Sequence, residues 1–168
     1  DNLILDGSTW GNLSTSSAMW ASVVSPLAIS MVGTTFTGSA YKAFTQTNAT
    51  VDTIDCTDMN IGGQSLANMF LGTTKLTSLN LTNIQIPNVT DMSNMFTTSK
   101  FGNVDFNSFA RPNVTTMYNM FQSNTYIGAG DFTNVDFTGI TTMYDMFTSS
   151  DFTSIDFTGS DMSDVNIM

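Results

Sequence analysis

The side chains best placed to do chemistry are carboxylates and hydroxyls repeated at a fixed interval. Asp55, Asn80, Asp105, Asp136 and Asp156 form one column, and Thr57, Thr82, Asn107, Thr138 and Thr158 follow it two positions later. On parallel strands about 4.8 Å apart, such a column stacks oxygen donors. Carboxylates at that spacing disfavour each other's ionisation unless a cation or a donor-rich ligand lies between them. Oxygen ligands suit a hard cation, so Ca²⁺ at Asp105 and Asp136 is one expectation, weakened by the lack of a D-x-D-x-D-G loop. An extended contact face for a carbohydrate or a protein is a second, and a solubilising face that discourages aggregation is a third. The threonines also raise ice binding, against which the acids in the middle of the array argue.

Composition narrows the chemistry further. All 14 acids are Asp, His is absent, and the four basic residues Lys42, Lys75, Lys100 and Arg111 leave a net charge of -10. Without His there is no Ser-His or Cys-His nucleophile pair and no imidazole metal site, and without Glu there is no Glu-paired acid/base couple. No phosphate-binding G-x-x-x-x-G-K-[ST] loop occurs, so neither an enzyme nor a cofactor is expected. Four scattered cations cannot form the positive stripe that nucleic acid requires. The lone Cys56 excludes an internal disulfide and reads as a small core residue. No run of 18 apolar residues offers a membrane span.

Internal repetition supplies the elements that would position the column. Leu66-Ala-Asn-Met-Phe70, Met92-Ser-Asn-Met-Phe96, Met117-Tyr-Asn-Met-Phe121 and Met143-Tyr-Asp-Met-Phe147 share one pattern, their phenylalanines 26, 25 and 26 residues apart. Each block is followed by an L-x-x-L-x-L signature: Leu76, Leu79, Leu81; Phe101, Val104, Phe106; Phe132, Val135, Phe137; Phe152, Ile155, Phe157. A fixed period near 25 predicts a solenoid. Apolar residues at i, i+3 and i+4 predict a short helix in each M-x-x-M-F block, and L-x-L predicts a parallel strand with one face on the core. The expected fold is therefore α/β, a single domain over 1–168 of about six coils, with a parallel sheet on one face and short helices on the other. In this register Asn124 to Asp131 lengthens one connection and the next crossover is correspondingly short. Tyr118 and Tyr144, in equivalent positions, read as inter-coil packing on the outer side.

The stretch Val89-Thr-Asp-Met-Ser-Asn-Met-Phe96, with Leu76-Thr-Ser-Leu-Asn-Leu81, resembles the BspA-like leucine-rich repeat of bacterial surface proteins. In that family the repeat often reads N-V-T-x-M-x-x-M-F, and Asn88 to Phe96 and Asn113 to Phe121 follow it closely. The match is strong over 54–157 and degenerate over 1–53. The resemblance implies a leucine-rich-repeat-like solenoid of an extracellular, cell-surface or virion-surface protein, associated with adhesion to a host or neighbouring-cell glycan or protein. A structural building block, a spacer or sheath whose open coil ends stack on copies of itself, is the alternative. It is suggested by the absence of polar caps and by apolar Val165, Ile167 and Met168 at the end of the sequence. The opening Asp1 reads as a processed chain or a module of something larger. If the source is eukaryotic or infects eukaryotes, the N-x-[ST] sequons at Asn12, Asn48, Asn88 and Asn113 are glycan sites, and a glycan on the further sequon Asn80 would cover the sheet.

Overall fold

Every 24 to 26 residues the backbone returns to the same hydrogen-bonding neighbours, so each stretch of chain lies parallel to the stretch one coil later. The computed structural model describes residues 3–11, 27–45, 51–100, 113–125 and 127–166, without the side chains of Leu27 and Ile127. These residues wind into a parallel-sheet β-solenoid of about five turns. On its first wall β1 (Leu3–Ile4), β3 (Leu27–Ser30), β5 (Val51–Asp55) and β7 (Ser78–Asn80) pair in that order. A second wall holds β2 (Thr9–Trp10), β4 (Thr35–Phe36) and β6 (Asn60–Ile61). Single bridges Ser65 to Asp91, Asp91 to Thr116 and Thr116 to Thr142 form a third. Later in the chain β8 (Ile127–Asp131) pairs with β9 (Phe152–Asp156), again in parallel.

Two expectations need correction. The described residues contain no helix, and the M-x-x-M-F blocks are chains of tight turns. Met69 N donates to Leu66 O at 3.0 Å, an i to i+3 bond, while Phe70 N leaves the coil for Met95 O at 2.9 Å. The third residue of each block, Asn68, Asn94, Asn119 or Asp145, has φ between 53° and 60°. That is the i+2 geometry of a type II turn, which Asn and Asp tolerate and a continuing α-helix does not allow. A helix would satisfy its own N–H groups, whereas here alternate N–H groups hold the next coil. The expected six coils likewise give way to the five or so that the described residues make.

The second correction concerns register. Gly130 pairs with Ile155 and Asp131 with Asp156, so the strand is Ile127–Asp131 rather than the segment around Val135. Phe132, Val135 and Phe137 are buried in the turn and second wall that follow the strand, and Asp136 bridges Asp161. The apparent insertion disappears: Asp131 to Asp156 is one ordinary period. The physical reason lies in the rings. A Cβ on Gly130 would come within 2.9 Å of the Phe152 ring and 3.1 Å of the Phe132 ring, so these two phenylalanines fill the space that an inward Ile or Leu occupies elsewhere.

The core is a set of stacked columns. Phe44, Phe70, Phe96 and Phe121 are each at most 1% exposed and, with Phe147, stack at centroid separations of 5.1, 5.5, 5.4 and 5.7 Å. Methionines 69, 92, 95, 117, 120, 143 and 146 are buried around them.

Candidate functional site

The polar column exists, with altered membership. Asp55 pairs with Asn80 and Asp131 with Asp156, while the rung bearing Asp105 and Asn107 lies outside the described residues. Asp136 and Thr138 belong to another wall; Asp131 and Thr133 take the places assigned to them by sequence.

Each member of the column is engaged with its own turn. Asp55 Oδ1 accepts from Thr57 N at 3.0 Å and Thr57 Oγ1 at 2.6 Å, and Asn80 Oδ1 accepts from Thr82 N at 3.0 Å and Thr82 Oγ1 at 2.7 Å. Asp131 Oδ1 does the same with Thr133, at 3.0 and 2.7 Å, and Asp156 Oδ1 accepts from Thr158 N at 2.8 Å. An Asp or Asn side chain is the right length to reach the N–H two residues on; Glu is one methylene too long for this turn. The residue after each Thr is Asp58, Asn83, Asn134 or Gly159, all with φ between 55° and 75°. The motif D/N-x-T-[DNG] thus turns the corner between the first and second walls. Similar caps recur on the other walls, where Asp91, Asp136 and Asp161 accept from Ser93, Thr138 and Ser163 backbone N–H groups at 2.9, 2.8 and 2.9 Å. The use of Asp rather than Glu at these capping positions follows from this geometry.

Hydrogen bonding dominates the ionisation of the exposed caps. The Thr133 backbone N–H, then its hydroxyl, hold Asp131 below its ordinary value of 3.8. The Thr158 hydroxyl, then its N–H, do the same for Asp156, against a smaller opposing push from the Asp131 charge. Asp161 is lowered chiefly by the Ser163 backbone N–H. A depressed folded-state value means that the contribution to stability is complete above the ordinary carboxylate range and disappears as pH falls through the lowered values. The urea midpoint is therefore expected to stay level down to about pH 4 and to fall below it. Asp131→Asn with Asp156→Asn keeps the acceptor, as Asn80 does, and should flatten that fall. An unchanged pH profile in the double variant would contradict the assignment.

Other candidates take structural places. Among the described residues no three His, Cys, Asp or Glu side chains converge as a metal ion requires. Cys56 is fully buried, and burial, then the Asp55 charge, push its thiol far above the ordinary range. Asn88 Nδ2 donates to Gly62 O at 3.0 Å and Asn113 Nδ2 donates to Pro87 O, while Thr90 and Thr115 hydroxyls donate to Gln64 O and Thr90 O. Both ends of these two N-V-T sequons therefore tie a coil to the one before it, using the nitrogen that a glycan would occupy. Asn12 and Asn48 lie outside the described residues. No described helix is long and apolar enough to cross a membrane.

Sequence reasoning placed the column on the sheet but missed its local bond. The signal was available as Asp or Asn followed two residues later by Thr or Ser, at 55, 80, 91, 131, 136, 156 and 161.

A family model described as "Mycoplasma protein of unknown function, DUF285" matches residues 64–168, more than half of the chain. No curated protein and no solved structure matches it.

Proposed function

Since the chain belongs to the family described as Mycoplasma protein of unknown function, DUF285, whose match is consistent with a BspA-like repeat, we propose that it is a non-catalytic recognition module. In this reading it is a leucine-rich-repeat-like part of an extracellular surface protein that adheres to a glycan or a protein through the solenoid face. The observation that carries the reading is the ridge of Asp/Asn-x-Thr caps. Its side chains are held in one orientation by their own turns and repeat along the solenoid with the coil spacing. An array fixed before a partner arrives loses little side-chain freedom on binding. One carboxylate oxygen of Asp131 and of Asp156 is engaged in the turn, and both residues are exposed, so the other oxygen meets solvent or a ligand.

Binding of the isolated chain to glycan and protein arrays tests this. Asp55→Ala combined with Asp131→Ala is expected to weaken the bound ligand at least about tenfold, a difference of about 1.4 kcal/mol. Asp131→Asn, which keeps the turn and removes the charge, separates loss of shape from loss of charge. Binding that survives the Ala pair would remove the ridge from the proposal. A chain that binds nothing on either array and assembles with itself would replace the reading with the building-block alternative.

A further inference from the structure

We propose that the turn wall carries a second contact site, a stacking platform for neutral pyranose sugars made by Tyr118 and Tyr144. This inference rests on the reading of the chain as a recognition module and adds a ligand class to it.

The two tyrosines occupy one column, since Asn94 N donates to Tyr118 O and Asn119 N to Tyr144 O. Their rings are 3° from parallel with centroids 5.7 Å apart. Ring atoms in contact lie about 3.5–4 Å apart, so the rings are slid past each other by about 4 Å and overlap like shingles. Tyr118 is 38% and Tyr144 46% exposed, and they are the exposed large aromatics among the described residues.

The two rings pack on each other across adjacent coils, as the sequence suggests, but coil packing does not require rings in this column. The same column, traced by Lys42 N to Ala67 O and Asn68 N to Ser93 O, reads Tyr41, Ala67, Ser93, Tyr118, Tyr144. Small residues serve equally well in two coils, and the buried phenylalanine column three positions on provides the inter-coil stacking.

The surroundings select the ligand. On either side of Tyr144 in the chain, Met143, Asp145, Met146, Phe147 and Thr148 line an open pocket, so the rings have both apolar and polar neighbours. Ser93, Asn94 and Asp145 supply polar groups around them, which suits a molecule with a C–H face and a hydroxyl edge. Asp145 and the net charge of -10 oppose uronic acids, sialic acids and sulfated sugars.

Native gels containing a soluble β-glucan, mannan or galactan, with hyaluronan as the anionic comparison, test the proposal on the full chain. At least one neutral polysaccharide is expected to retard the protein, and hyaluronan is not. Tyr118→Ala with Tyr144→Ala should weaken that retardation at least about tenfold, and Tyr118→Phe with Tyr144→Phe should retain it. Should the Ala pair fail to melt as a folded protein, Tyr118→Ser, matching Ser93, replaces it. Retardation that ignores the tyrosines, or that is lost in the Phe pair, overturns the platform while the recognition reading stands. Retardation by hyaluronan alone, or binding to proteins alone on an array, does the same. No binding to polysaccharide or protein overturns both.

Discussion

Phe96→Ala is expected to destabilise the protein by about 3–5 kcal/mol, the range for removing a fully buried ring. The ring is 0% exposed and lies between Phe70, at 5.5 Å and 6°, and Phe121, at 5.4 Å and 13°. Its truncation leaves a void in the middle of the column, and the rings above and below cannot close it because their own coils are fixed by the bonds from Phe70 N to Met95 O and from Phe121 N to Met146 O. Coils of a solenoid contact only their neighbours, so the lost energy falls on the coupling between two coils. Urea unfolding should therefore lose cooperativity as well as midpoint, with a broader transition in Phe96→Ala than in Phe96→Leu. A loss below about 1 kcal/mol, the ordinary size of a point mutation, would show that the stack does not hold the coils together.

Gly63→Ala is expected to be the most damaging one-carbon addition, at about 2–3 kcal/mol or more, the upper part of the range for overpacking. A Cβ at Gly63 would sit 2.0 Å from Ser39 N, 2.2 Å from Gly38 C and 2.4 Å from Ser39 Cα. All three are backbone atoms of the preceding coil, so no rotamer change relieves the clash. Moving that coil away would stretch the bond from Gly63 N to Gly38 O, 3.1 Å, and the bonds from Gln64 N and Ser65 N to Ser39 Oγ, both 3.2 Å. Gly62→Ala is the control, because there the nearest atom, Thr37 O, is 3.2 Å away. Urea midpoints should rank wild type, Gly62→Ala, Gly63→Ala in falling order, and equal midpoints for the two variants would contradict the close approach.

The solenoid was legible because its period is written in the largest buried residues. Phe70, Phe96, Phe121 and Phe147 recur at 25 or 26 residues, and the structure stacks them. The same motif misled at the next level down. Methionine and phenylalanine at i, i+3 and i+4 also suit a ribbon of turns, and the deciding residue is the polar one between the methionines, Asn68, Asn94, Asn119 or Asp145, which adopts positive φ. Strand 127–131 was hidden for a different reason. Its sequence, Ile-Gly-Ala-Gly-Asp, has no large inward residue at Gly130 because Phe132 and Phe152 fill that volume, and this depends on a neighbouring coil. The apolar trio Phe132, Val135 and Phe137 then imitated a strand one wall too late. The misplacement carried Asp136 and Thr138 into the candidate column and left Asp131 and Thr133 out. The acid ladder itself was visible, but the reason for its Asp residues was local: each caps the turn that follows it.

The polar ridge stands or falls with that register, and disulfide trapping tests it directly. Ala129 and Ser154 are register partners and both are exposed, whereas the sequence-derived alignment would set Asn134 beside Ser154. Facing residues on adjacent strands fall within the 4.4–6.8 Å Cα separation that a disulfide spans. Native Cys56 is buried and does not compete. Under mild oxidation Ala129→Cys with Ser154→Cys should cross-link rapidly and completely in the folded protein, and Asn134→Cys with Ser154→Cys should remain reduced. Rapid cross-linking of the second pair with none in the first would contradict the register, and with it the ridge.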